Sequence, residues 1–575
     1  MLRNNHSNNK LTLKGLETVF SNVETVISNI KKFTMEIFLE RFESVFVSCL
    51  LIALMLIFGS LWYILAGITI YLFLSLYSKK SISEEVLKKR NNTFVVIIGA
   101  GFSGICAAIK LKEENIKFII FEAAPDLGGT WLHNVYPGCA CDVVAHLYSF
   151  SFYPNPNWKT QFASQSEILQ YLKSVCDFYD IRQYMRFNTA VQKCYFDSKT
   201  QQWKVTTSGN EEFMCNFVIS GAGVLHVPKT PVLKGCDLFK GESFHSAKWN
   251  KECNLEGKSV AVIGTGASAV QIVPSIADRV KNLYVFQRTP AWSSLPAFLK
   301  RSPLYPRGAQ TVFKMFPTIF KLYRWLTFVR NELSFYLIFR NKSFLTKLIQ
   351  KSMTKAIQDQ LQNESLKKKM VPSYDIGCKR ITPSNNFLQA FNKKNVRLVT
   401  EPITSLTENG IKTGENEYKI DVVIYATGFD VAASIKSLNI IGPDGVTLNE
   451  RWGNKPNAYL GIMCPGFPNL FYLLGPNTAL GHNSVVWMIE CQMNFVMDAI
   501  LKCTDNGFKS LEVLSKVNDE FQCYVTSETK KRPFSSSCGS WYLNKDGENF
   551  TLWPSHLLNY WWRTLSVDLK EFKVQ

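Results

Sequence analysis

Two short apolar runs in this chain each open into a glycine-rich loop and then a helix-like segment, which commits it to a pair of nucleotide-binding α/β units. The first is Phe94-Val-Val-Ile-Ile98, followed by Gly99-Ala-Gly101-Phe102-Ser103-Gly104 and a helical pattern over 105–111. An unbroken β-branched run of this kind reads as a strand buried on both faces of a parallel sheet. The glycines permit a tight turn and let backbone N–H groups approach a pyrophosphate at the helix N-terminus. A second strand over 117–121 ends in Glu122, placed to accept from a ribose hydroxyl.

The second unit runs from Ser259-Val-Ala-Val-Ile263 into Gly264-Thr-Gly266-Ala267-Ser268-Ala269, with Ala in place of the third glycine, which the pattern tolerates. Its next strand, over 283–286, ends in Gln287-Arg288-Thr289-Pro290 rather than in an acid. An Arg at that point favours a 2′-phosphate, so the second nucleotide should be NADPH rather than NADH. Between the two loops lies Phe239-Lys-Gly241-Glu-Ser-Phe-His245-Ser-Ala-Lys-Trp249-Asn250.

That linker resembles the fingerprint of the Baeyer–Villiger monooxygenases, F-x-G-x-x-x-H-x-x-x-W, with Asn250 where the family has Pro or Asp. Gly128-Gly129-Thr130-Trp131, Tyr136-Pro137-Gly138 and Asp142 match every fixed position of the family's flavin signature, G-G-x-W-x-x-x-x-Y-P-G-x-x-x-D. The resemblance implies that the first nucleotide is FAD and that Asp142 lies beside it, paired with an essential Arg. Gly377-Cys378-Lys379-Arg380 is similar to the family segment that supplies that Arg, which makes Arg380 and Asp142 the expected catalytic pair and Lys379 a further 2′-phosphate ligand. His245 is expected to order domain movement rather than to do chemistry. Tyr459 to Gly461, Gly475-Pro-Asn477, Gly481-His482-Asn483 and Cys538-Gly-Ser-Trp541-Tyr542 resemble the subgroup that contains 4-hydroxyacetophenone monooxygenase, with Asn477 expected near the flavin. The likeness extends over about residues 92–565.

Ahead of the first unit, 44–78 holds no charged residue and is dominated by Leu, Ile, Val and Phe. It exceeds the ~20 residues that span a bilayer as a helix and lacks a small-residue cleavage site. It therefore reads as a retained anchor, either a tilted single span or a hairpin. Lys79, Lys80, Lys88, Lys89 and Arg90 on its far side outweigh Lys31, Lys32 and Arg41 before it, placing the catalytic part in the cytosol and, in a eukaryote, on the endoplasmic reticulum. The net charge of +19 is concentrated: 301–370 holds 14 Lys and Arg against 3 acids, interleaved with aromatic residues. Such a segment either lies on an anionic membrane surface or is a helical insertion with a solvated basic face. No nucleic-acid module accompanies the charge, so nucleic acid is not an expected partner. The fifteen cysteines are scattered without zinc spacing, which argues for no metal site and for free thiols in a reducing compartment.

The expected architecture is α/β with two Rossmann-like dinucleotide-binding domains and a helical insertion, behind a membrane anchor. In order, these are a lead over 1–43, the anchor over 44–78, FAD-binding parts over 92–227 and 401–575, NADPH-binding parts over 228–300 (with the linker) and 371–400, and the insertion over 301–370. The expected reaction converts a lipophilic ketone and O2 into an ester or lactone. The rivals are oxygen transfer to nitrogen or sulfur, and an NADPH oxidase or redox-sensing flavoprotein that leaves no oxygenated product. One fold can host all of these.

Overall fold

The computed structural model describes residues 83–295, 304–339, 343–535 and 538–575. The lead and the expected anchor over 44–78 lie outside the described residues, and among the described residues no helix is long and apolar enough to cross a membrane.

Two five-stranded sheets, every strand parallel to its neighbours, carry the two glycine loops. In the first the order is Leu470–Tyr472, Phe217–Ser220, Phe94–Ile98, Lys117–Phe121, Met185–Arg186. Val95, Val96 and Ile97 are wholly buried at its centre, each contributing roughly 1.5–3 kcal/mol relative to exposure. Helix Phe102–Glu113 covers one face, and the long helix Val485–Asp505 packs on that helix. Residues from the far end of the chain thus complete the first domain. Beside it sits a four-stranded sheet built from Val191–Asp197, Gln202–Thr207, Glu212–Cys215 and Asn439–Ile441.

The second sheet runs Val396–Val399, Asn282–Phe286, Ser259–Ile263, Val422–Tyr425, Glu242–His245. This moves one expected boundary. The second domain does not end at 400: Val422–Tyr425 pairs with Ser259–Ile263 on one edge and Glu242–His245 on the other. Buried along its whole length, this strand must pair its backbone N–H and C=O groups on both edges, and the second sheet supplies both partners. The chain rejoins the first domain only after this strand.

The expected insertion is helical: Ala309–Met315, Pro317–Ile338, Phe344–Gln358 and Glu364–Met370. The inner face of the longest helix is held by specific clamps. Phe320 and Tyr323, with Phe313, enclose the His146 ring. Burial, reinforced by Arg324, lowers that imidazole to about 3, so it stays neutral. Arg324 is itself buried and donates to the carbonyls of His146 and Ser149. Phe328 stacks on Trp487 at 4.1 Å between centroids. One turn further on, Glu332 accepts from Asn483 at 2.7 Å, His482 at 3.2 Å and the Leu557 amide at 2.8 Å. Burial pushes this carboxyl up, yet these donors leave it below its ordinary value.

Free thiols were expected throughout. Twelve cysteines among the described residues are free, but Cys378 and Cys538 are joined in a disulfide. Their Cα atoms come within 6.4 Å, a bridgeable separation that a sequence separation of 160 conceals.

Candidate functional site

At the first loop the glycines are required by contact. Gly99 has φ +95°, and a methyl on Gly104 would lie 1.8 Å from the Gly99 carbonyl oxygen, so the helix can seat against the strand only with hydrogen there. Gly129, at φ +53°, brings its backbone beside Gly101, where a Cβ would stand 3.2 Å from the Gly101 Cα. The two motifs therefore form one cradle. Glu122, at the end of the neighbouring strand, accepts from the amides of Ala100 at 2.7 Å and Ala124 at 2.8 Å, which leaves carboxylate lone pairs for a ribose. Helix Phe102–Glu113 has no acid in its first turn and no side-chain cap, so its N-terminal amides suit a pyrophosphate. Thr130 is exposed at the start of a short helix beside the cradle. Phe102, Ser103 and Trp131 face inward. Phe102 packs edge-on against Tyr148 and Phe150, and the Trp131 indole donates to Tyr148. Their part in nucleotide binding would run through the backbone.

The second cradle repeats the design. Gly264, at φ +114°, lies against the Ala426 carbonyl, whereas a methyl on Gly266 would project into open space, the room a pyrophosphate needs. Helix Ala267–Ile276 again starts without a side-chain cap or an acid, with Ala267 exposed and Ser268 half-buried at its N-terminus. The Thr289 carbonyl accepts from Thr265 at 3.0 Å, fixing the loop from which Arg288 extends into solvent. Lys379 lies close enough to feel Arg288: burial first, then the Arg288 charge, lowers its ammonium below the ordinary value. Two cations held near each other form a site for an added dianion.

The pair expected from the sequence is formed. Arg380 donates through Nη2 to Asp142 Oδ1 and Oδ2, both at 2.8 Å, and through Nε to Oδ2 at 3.1 Å. Its Nη1 reaches the Leu480 carbonyl at 3.4 Å. The Asp142 charge, working against burial, holds the guanidinium above its ordinary value. Asp142 belongs to the first domain and Arg380 to the second, so the ion pair joins them. A second tie lies close by. The Tyr136 hydroxyl donates to Gln271 Oε1 at 3.0 Å, and Gln271 Nε2 donates to the Ala140 carbonyl at 2.9 Å. A methyl on Gly138 would collide with Ser275 and the Gln271 carbonyl. Tyr136 and Gly138, expected at the flavin, thus also dock the first domain on helix Ala267–Ile276.

Other expected site residues have structural duties. Asn477 is buried with φ +58°, and its amide donates to the carbonyls of Asn549 and Leu552. In the linker, a methyl on Gly241 would meet the Asp421 carbonyl at 2.4 Å and the Phe239 ring. Trp249 packs edge-on to Phe244. His245 pairs in register with Tyr425 at the edge of the second sheet, and its Nδ1 accepts from the Ala247 amide. Burial lowers this imidazole.

Several contributors were not among the expected site residues. Phe339 follows the long insertion helix and touches both Gly377 and Gly481, so the insertion forms one wall beside Arg380. Tyr542 is buried within electrostatic reach of Arg380 and Asp142, where burial raises its phenol and the Arg380 charge opposes the rise. The Cys378–Cys538 disulfide holds the Tyr542 segment against the Arg380 loop. Among the described residues no cluster could hold a metal ion.

Comparison with known proteins agrees with this geometry. Residues 92–308 match the family model described as flavin-binding monooxygenase-like. The chain is 40% identical over 464 residues to a Baeyer-Villiger monooxygenase of Pseudomonas aeruginosa, covering 80% of this chain and 87% of that one. It is 36% identical to a Baeyer-Villiger monooxygenase of Streptomyces coelicolor, covering 84% and 92%. Among solved structures, the OTEMO complex with FAD and NADP superimposes with a TM-score of 0.75 at 31% identity, over 84% of this chain and 99% of that one.

Proposed function

Because the chain belongs to the Baeyer–Villiger monooxygenases, we propose that it inserts one atom of O2 beside the carbonyl of a lipophilic ketone, giving an ester or lactone at the expense of NADPH. It is a flavin-dependent monooxygenase that works with FAD and NADPH. The observation that carries the reading is the bidentate Asp142–Arg380 pair, which ties together the two domains that bear the nucleotide cradles. When bound, the two cofactors supply hydride transfer and oxygen activation. The chain's own residues supply position and charge. Arg380 cannot be deprotonated, so it presents a permanent cation where negative charge develops on oxygen, the arrangement that accelerates such steps most. Asp142 and the Leu480 carbonyl fix the guanidinium plane, while Arg288 and Lys379 would grip the 2′-phosphate. Incubated with NADPH, O2 and a panel of lipophilic ketones, the protein should yield esters detectable by mass. N- or S-oxides from nucleophiles, or hydrogen peroxide alone, would instead select one of the rival reactions.

Arg288→Ala should raise the apparent KM for NADPH tenfold or more and leave that for NADH almost unchanged. A hydrogen bond to a charged group is worth about 1.5–3 kcal/mol, and only the phosphorylated nucleotide makes it. Equal effects on the two nicotinamides would remove Arg288 from the phosphate site.

The finer assignments follow from sequence. The segments around Tyr459, Asn477, His482 and Trp541 support the subgroup containing 4-hydroxyacetophenone monooxygenase. The uncharged stretch over 44–78, with the stronger positive flank after it, supports a membrane anchor with the catalytic part facing the cytosol.

A further inference from the structure

We propose that the outer face of the helical insertion, residues 309–326 together with 344–355, rests on an anionic lipid bilayer. This goes beyond the oxygenation chemistry and does not depend on it.

The orientation of the insertion is fixed by its inner face. Arg324, Phe328 and Glu332 are all buried in contacts with Ser149, Trp487 and Asn483, so the helix cannot roll. What it turns outward is apolar. Met315 is 66% exposed, Phe316 50%, Ile319 46%, Leu322 53%, Trp325 40% and Leu326 47%. Ile319, Leu322, Trp325 and Leu326 recur at helical spacing along one side. On the neighbouring helix Phe344, at 73% exposure, lies with Leu345 and Leu348 on the surface. Scattered surface hydrophobics are ordinary, but a run of large ones on adjoining helices marks a contact surface.

The charges select the partner. Lys314, Lys321, Lys347, Lys351 and Lys355 are exposed within the same helices, whereas the one acid among the described residues of 304–358 is Glu332, buried on the inner side. A face with apolar residues, an exposed Trp and only positive charge fits the headgroup region of a membrane rich in anionic lipid. The other occupants fit less well. A second copy meeting this face symmetrically would set lysines against lysines. The 44–78 stretch carries no charge with which to answer them. Phe339, just past the end of the same helix, touches Gly377 and Gly481 beside Arg380, which would bring a membrane-dissolved ketone near the site.

The test uses the full chain in nanodiscs of phosphatidylcholine, alone or mixed with phosphatidylserine, read by backbone hydrogen exchange. Exchange over 309–326 and 344–355 should slow in the anionic discs only, and the effect should shrink as salt rises. In a second arm, residues 83–575 are added to phosphatidylserine vesicles. That portion holds both sheets and corresponds to solved relatives that it matches over 99% of their length. There the triple variant Lys321→Gln, Lys347→Gln, Lys351→Gln should partition roughly a hundredfold more weakly, since each lysine near such a surface contributes about a factor of five. Its ketone turnover in detergent should be unchanged. Equal exchange in neutral and anionic discs would overturn the proposal. So would protection without lipid, which would assign the face to a second copy if it rose with protein concentration and to the chain's own leading segment if it did not. Lipid protection in a protein that makes no ester would retain this proposal and reject the oxygenation reading.

Discussion

Arg380→Ala should give a yellow protein that NADPH still reduces but that forms ester 10²–10³-fold more slowly than the unaltered enzyme, the usual effect of removing one preorganised charge contact at a reacting anion. The hydrogen bonds of Arg380 go to Asp142 and the Leu480 carbonyl rather than to either glycine loop, so both nucleotide cradles should survive the change. Consumption of NADPH should continue and appear as hydrogen peroxide. Arg380→Lys should recover only part of the loss, because a lysine keeps the charge but cannot engage both Asp142 oxygens at a fixed angle. Rapid-mixing absorbance for flavin reduction, read beside product mass, separates the steps. Wild-type ester formation by Arg380→Ala would end the assigned role of the pair.

Gly104→Ala should yield protein without flavin and with a lowered melting temperature. The added methyl would sit 1.8 Å from the Gly99 carbonyl oxygen, and backbone rather than a flexible side chain must give way. Overpacking typically costs 1–3 kcal/mol, occasionally more; with backbone on both sides, about 3 kcal/mol is expected here, a large share of ordinary domain stability. Gly266→Ala is the contrast. Its methyl enters open space, so the melting temperature should hold while NADPH affinity falls. Flavin content and melting curves of the two variants decide the matter. A Gly104→Ala protein that purifies yellow and melts normally would show that the helix can back away from its strand.

The parts legible in sequence were those governed by local rules. Both glycine loops, their flanking strands and the acid at Glu122 could be placed because turn geometry and buried parallel strands leave marks within a few residues. Arg380 and Asp142, separated by 238 positions, could be joined only through the family resemblance. Sheet membership was harder. Val422–Tyr425 reads as a buried strand in any sheet, and only pairing with Glu242–His245 and Ser259–Ile263 decides which. Asn477 sits in a motif, yet nothing local announces its left-handed backbone or the bond its amide makes to the Asn549 carbonyl. Neither the clamps at Arg324 and Glu332 nor the wall at Phe339 carries a local signature, because each depends on a partner far along the chain.

The disulfide between Cys378 and Cys538 closes a covalent ring through the second domain, the strand at Val422–Tyr425 and most of the returning chain. A cross-link over such a span lowers the entropy of the unfolded chain by the equivalent of about 5 kcal/mol in the loop-closure model. Cytosolic thiols keep such pairs reduced, whereas a lumenal or extracellular setting keeps them closed. The oxidation state of these two cysteines in the living cell is therefore a compass for topology. A closed ring would put the catalytic part on the side opposite to the one its lysine-rich flank favours; an open one would leave the Arg380 loop held by packing, the Asp142 ion pair and the hydrogen bond to the Leu480 carbonyl.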